Sequence, residues 1–126
     1  MTIFPYRNGR PLVWGATCTD TFAATHVVQS AVHPAHAANQ AEQAKVDKYR
    51  NLTDRYLFQP IAVETTGVFG TQSRLFLKEL GRRISSETGD MREFAWLQQR
   101  LSLAVMRGNA YCITAAASKC LFLFVT

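Results

Sequence analysis

Glu42, Lys45 and Lys48 follow one another at three-residue steps. On a helix, neighbouring members of such a series lie about 60° apart, so Lys45 can sit between the other two. One carboxylate and two ammonium groups on a shared face could form an active-site wall. The same trio also suits a solvated helix face with a weak ion pair. Glu64 ends an apolar run just before a Gly-containing loop, a place where sites gather in α/β sheets. Its plainer role is a cap or a bond to loop amides. Asp20, between Thr19 and Thr21, reads as a helix N-cap more readily than as a ligand.

A second group of residues could meet phosphate. Arg74, Lys78, Arg82 and Arg83 fall at spacings of three to four and could form a basic ridge, which Glu79 and Glu87 dilute. Arg7 and Arg10 flank an Asn8-Gly9 pair and are a second candidate contact. Lys and Arg outnumber Asp and Glu by 14 to 9, and the net charge of +5 favours an acidic partner such as DNA or RNA. No aromatic stacking motif, helix-turn-helix spacing or zinc-finger pattern accompanies these charges, so sequence-specific readout has no support.

Other reactive residues are less promising. His26, His33 and His36 flank Pro34 and lack an acid or thiol at ligand spacing, so no metal is expected there. Cys18, Cys112 and Cys120 are odd in number and far apart, which suits neither a disulfide framework nor a zinc site. They predict a reduced, intracellular setting, in cytoplasm or nucleus. Thiols in such apolar and Ala-rich segments usually pack as small hydrophobes.

The elements that must position these groups fit one domain, because 126 residues with 48% apolar content give room for one core. The expected class is α/β. Thr2 to Tyr6 and Leu12 to Cys18 predict an antiparallel hairpin around Asn8-Gly9. The unalternating Leu12-Val13-Trp14 predicts a second strand covered on both faces. A helix is expected from Asp20 to Val32 and a better one from Ala35 to Asn51. Tyr56 to Glu64 returns to strand composition, with Pro60 implying a bulge or an edge, and a crossover would lay it parallel to the preceding strand.

Two further helices follow. Thr71 is the expected N-cap of the first, with Leu75, Phe76, Leu80 and Ile84 as its buried stripe. Asp90 and Glu93 have capping-box spacing for the second, Phe94, Leu97, Leu101 and Val105 continue it, and Gly108-Asn109 is its natural stop. The domain is expected over residues 1–117, followed by an apolar tail from Ser118 to Thr126 with partner-binding or aggregation-prone composition. No run approaches the ~18 apolar residues of a membrane span, and no membrane partner is expected.

The segments LVWGATCTDTF, KVDKYRNL, FQPIAVETTGVFG, LGRRISSETGD and QRLSLAVMRGNA, in that order, resemble the C-terminal region of reverse-transcriptase-like proteins of animal non-LTR retrotransposons. That region resembles a PD-(D/E)XK, restriction-endonuclease-like nuclease. The resemblance covers about Thr2 to Ala110. It implies a core of hairpin, crossover helix and parallel strand, in which two carboxylates hold Mg²⁺ to polarise a phosphate and activate a water.

It also implies that Gly15 stands where the central strand carries an Asp, that Thr17 is the Thr that follows that Asp after one residue, and that Lys45 and Lys48 are the matching candidates for the lysine role on the crossover helix. The other acid of the family, in a Pro-Asp pair, would fall upstream of Met1, so an N-terminal truncation is expected. With Gly15, Thr17, Lys45, Lys48 and Glu64 as vestigial-site residues, a non-catalytic domain with at most weak, non-specific DNA or RNA binding is expected. No cofactor is expected. Mg²⁺ enters only in the alternative, an active endonuclease using Glu64, Lys45 and a replacement acid such as Asp20. A protein-interaction module without a nucleic-acid role is a further alternative. A chain without the upstream strand would expose a sheet edge open to pairing.

Overall fold

A computed structural model describes the backbone of residues 1–125 and the side chains of residues 1–118. The chain is a mixed α/β structure in the order β1 (Leu12–Thr19), α1 (Val27–Val32), α2 (His36–Lys48), a 3₁₀ turn (Arg50–Leu52), β2 (Leu57–Glu64), α3 (Thr71–Thr88) and α4 (Glu93–Val125). β1 and β2 pair in parallel from Leu12 opposite Leu57 to Thr19 opposite Glu64, as the crossover connection implied.

The hairpin turn forms and its first strand does not. Asn8 and Gly9 adopt φ of 50° and 70°, and Arg7 bridges Arg10 across them, which is the positive-φ pair the turn requires. Pro5 has no N–H to extend the ladder, so the chain bulges and rejoins only where the Thr2 N–H donates to Leu12 O. Ile3 and Phe4 are left 93% and 79% exposed.

β1 is likewise not a doubly covered inner strand. It has β2 as its one neighbour, and its side chains alternate, with Trp14, Ala16 and Cys18 exposed and Gly15, Thr17 and Thr19 half-buried. α2 packs against the second face, where Pro60 and Ala62 are buried opposite Gly15 and Thr17. Pro60 causes no bulge. The Leu57 and Thr65 N–H groups donate to Pro11 and Thr19 O, so the inward N–H groups of β2 are those of odd-numbered residues, and Pro60 falls among the outward ones.

The helix expected from Asp20 shrinks to Val27–Val32, because Asp20 and Thr21 spend their side chains on loop bonds to Phe22 N–H and Glu64. The better helix holds over His36–Lys48, entered through Ala35 at φ 63°. Gly70, not Thr71, occupies the N-cap of α3. Its buried stripe is Ser73, Leu77 and Gly81, while Leu75 is 64% exposed, because α3 turns its small residues toward β2 and α4. At Gly81 an added Cβ would stand 2.7 Å from the Phe94 ring, so glycine sets how closely these two helices approach.

No capping box forms before α4. Asp90 binds the N–H and guanidinium of Arg92, and its own N–H goes to Thr88. Phe94, Leu97, Leu101 and Val105 do make the inner, half-buried face. The helix continues through Gly108-Asn109, since Asn109 Nδ2 donates to Thr65 O instead of turning its own backbone. The Ala-rich sequence beyond then offsets the ~1 kcal/mol that a helical glycine costs. The proposed tail thus begins within α4, and its side chains from Lys119 onward lie outside the described residues. Among the described residues, no helix is long and apolar enough to cross a membrane.

Candidate functional site

The face of the sheet under α2 carries Gly15, Thr17 and Glu64; Lys45 and Phe58 close on Gly15, whereas Glu64, opposite Thr19, lies four residues further along the ladder. The Lys45 Nζ lies 3.3 Å from where a Cβ on Gly15 would stand, and the Phe58 ring lies 3.4 Å from the same point. Tyr49 packs against Phe58 with ring centroids 4.8 Å apart and planes tilted by 40°. Lys45 is half-buried and makes no hydrogen bond or ion pair among the described residues. An ammonium in that position is free to meet an incoming anion. Thr17 sits one inward step along β1, opposite Ala62.

The remaining members of the helical trio diverge from Lys45. Lys48 is exposed, with Nζ 5.3 Å from the Tyr49 ring centroid. Glu42 is only 2% exposed and turns to α3, where it accepts from the Ser73 N–H at 2.8 Å, the Ser73 hydroxyl at 2.6 Å and the Gln72 N–H at 3.1 Å. The Asn39 side chain accepts from the Thr71 N–H at 2.8 Å. Together Asn39 and Glu42, from α2, satisfy the first amides of α3, where a helix leaves donors unpaired and favours negative charge. A Cβ on Gly70 would run into the Glu42 carboxylate, so glycine at that N-cap makes room for it.

Glu64 is used in the same way on the other helix. It is 2% exposed, accepts from the Thr21 hydroxyl at 2.9 Å and from the Ala38 N–H, in the first turn of α2, at 3.3 Å. Both buried carboxylates therefore serve as caps supplied from outside the helix they cap. The role of Glu64 is the loop-and-cap bond that its position also allowed. That of Glu42 carries little signal in sequence, beyond the three-residue spacing of Asn39 and Glu42.

Asp20 accepts from Phe22 N–H and Thr65 Oγ1, and it caps a turn rather than a helix. His26 and His36 meet edge to face at 6.4 Å, and His33 ends α1. Among the described residues no group of three or more His, Cys, Asp or Glu side chains could hold a metal ion. The residues around Gly15 do not fit Mg²⁺ either. Gly15 brings no side-chain oxygen, both Glu64 oxygens have donors, and the nearest charge to Gly15 is cationic.

The basic ridge on α3 is divided. Arg82 and Arg83 both pair with Glu79, at 2.7 and 2.9 Å, and Arg83 also lies over the Tyr6 ring at 4.1 Å. These guanidinium hydrogen bonds, first that of Arg82 and then that of Arg83, hold the Glu79 carboxyl down to about 2. Arg74 and Lys78 remain exposed, along an open groove of about 490 Å³ between α3 and α4 lined by Leu77, Phe94 and Leu101. Arg7 is exposed on the side of α3 that carries Glu79, whereas Arg10 donates to Thr53 O at 2.7 Å. The structure thus does not gather the six basic residues into one surface.

Compared with protein-family models, curated proteins and solved structures, the chain matches none.

Proposed function

We propose that the chain is a degenerate, non-catalytic nuclease-like domain of retroelement origin, with weak, salt-sensitive and sequence-independent binding to DNA or RNA. The observation that carries this reading is the Lys45 ammonium, unpaired among the described residues, beside Gly15 on a strand–helix–parallel strand unit. In the retrotransposon proteins that the sequence resembles, the crossover-helix lysine and the central-strand acid would stand at these two positions. On this reading the lysine is retained and the acid is lost. The collinear sequence blocks and the net charge of +5 support the same reading.

Binding would rest on Lys45 together with exposed Lys48, Arg74, Lys78 and Arg7, the ammonium groups meeting phosphate as point charges and the guanidinium groups as planar donor forks. Arg82 and Arg83 contribute less, being already matched to Glu79. Fluorescence anisotropy of labelled single- and double-stranded DNA and RNA, titrated with salt, tests the proposal. Affinity should fall steeply as salt rises and should weaken in Lys45→Gln. No binding at low salt to any of these probes would remove the nucleic-acid role.

A further inference from the structure

β1 presents an open edge with a definite pattern. Its ladder to β2 uses odd-numbered residues, as the bonds at Pro11 and Thr19 show. Even-numbered residues therefore direct their N–H and C=O groups outward. Leu12 is the first of these, and Thr2 takes both its N–H and its C=O. The outward groups of Trp14, Ala16 and Cys18 have no partner among the described residues. Exposed edges are usually blunted by lysine, proline or a bulge. The segment from Leu12 to Thr19 contains none of these.

We infer that this edge pairs with the same edge of a second copy of the chain, antiparallel about a two-fold axis at Ala16. The free positions are symmetric about Ala16, so one register alone uses all of them and leaves Leu12 with Thr2. Trp14 then exchanges both hydrogen bonds with Cys18 of the second copy, Cys18 with Trp14, and Ala16 with Ala16. On the exposed face the large Trp14 meets the small Cys18, with Ala16 leaving room between them.

Charge agrees with this register. No charged residue lies between Arg10 and Asp20, so the paired strands bring no like charges together. The product is a four-stranded sheet in the order β2, β1, β1, β2. A sheet of that width is more readily stable than the two strands one chain supplies.

Sedimentation velocity of the full chain over micromolar concentrations, with three variants, tests the inference. The wild type should show a monomer–dimer equilibrium. Ala16→Lys places like charges across the two-fold axis, and Ala16→Pro removes an N–H that points away from β2; each should be monomeric with an unchanged far-UV circular dichroism spectrum. If Ala16→Pro unfolds, Ala16→Lys carries the test. Ala16→Cys, combined with serine at Cys18, Cys112 and Cys120, should cross-link into a covalent dimer with a short bifunctional thiol reagent, because the paired Cα atoms stand about 5.5 Å apart. A wild type that stays monomeric overturns the inference. So does a dimer that survives Ala16→Lys, or one in which Ala16→Cys fails to cross-link.

Discussion

The Lys45 ammonium stands 3.3 Å from the point where a side chain on Gly15 would begin. The contact joins α2 to the middle of β1 with the flexible end of a lysine, so a small side chain at position 15 can displace it by a few tenths of an ångström. Gly15 has an ordinary strand conformation, without positive φ. Gly15→Ala should therefore stabilise the fold by about 0.5–1 kcal/mol through lost chain entropy. Gly15→Asp should fold at least as well as wild type, its carboxylate pairing with Lys45. Urea denaturation of both variants checks this, and a loss of stability in Gly15→Ala would show that Lys45 is held rigidly.

Glu42 is predicted to matter for stability rather than for chemistry. Glu42→Ala strips acceptors from the Gln72 and Ser73 amides and from the Ser73 hydroxyl, and should cost on the order of 3 kcal/mol. Glu42→Gln keeps an acceptor oxygen and should cost less. Thermal melts of the two variants should rank in that order.

Gly81 should tolerate no larger residue. Gly81→Val drives a branched side chain into Phe94, and overpacking of this kind costs typically 1–3 kcal/mol. The change should appear as a lower denaturation midpoint. Gly108→Ala, where an added Cβ meets nothing within 4 Å, should instead stabilise α4.

The Glu79 carboxyl titrates near 2, below its ordinary 4.5, because Arg82 and Arg83 bind its charged form. Its contribution to stability is therefore complete above about pH 4.5 and is lost as pH falls toward 2. Salt weakens it, since both arginines reach solvent. Glu79→Gln should flatten that part of the acid-unfolding profile. It also releases Arg82 and Arg83 to meet phosphate, so the salt dependence of nucleic-acid binding should steepen by about one charge or more.

Local chemistry made much of the fold legible in the sequence. Asn8-Gly9 announced its turn, the Ala-, Gln- and Lys-rich composition announced α2, and the 3.6-residue spacing from Phe94 to Val105 announced the inner face of α4. Features decided by distant contacts were not legible. Leu75 and Phe76 resemble a core stripe until α3 turns Ser73, Leu77 and Gly81 inward. Pro5 undid a strand that its neighbours favoured. At the candidate site, the approach of Lys45 to Gly15 has no local signature in the sequence, since it depends on how α2 crosses the sheet. Glu42 looked like its companion, yet it serves α3 through amides some thirty residues away. No local pattern distinguishes a carboxylate that binds a remote helix end from one that faces water.

The most direct test of the proposed loss of a metal site is cleavage of supercoiled plasmid in Mg²⁺ or Mn²⁺. Wild type and Gly15→Asp should both leave the plasmid intact, the second because its new carboxylate pairs with Lys45 and has no partner acid at hand. Nicking by the wild type that disappears in Glu64→Gln would contradict the account and make Glu64 a catalytic residue.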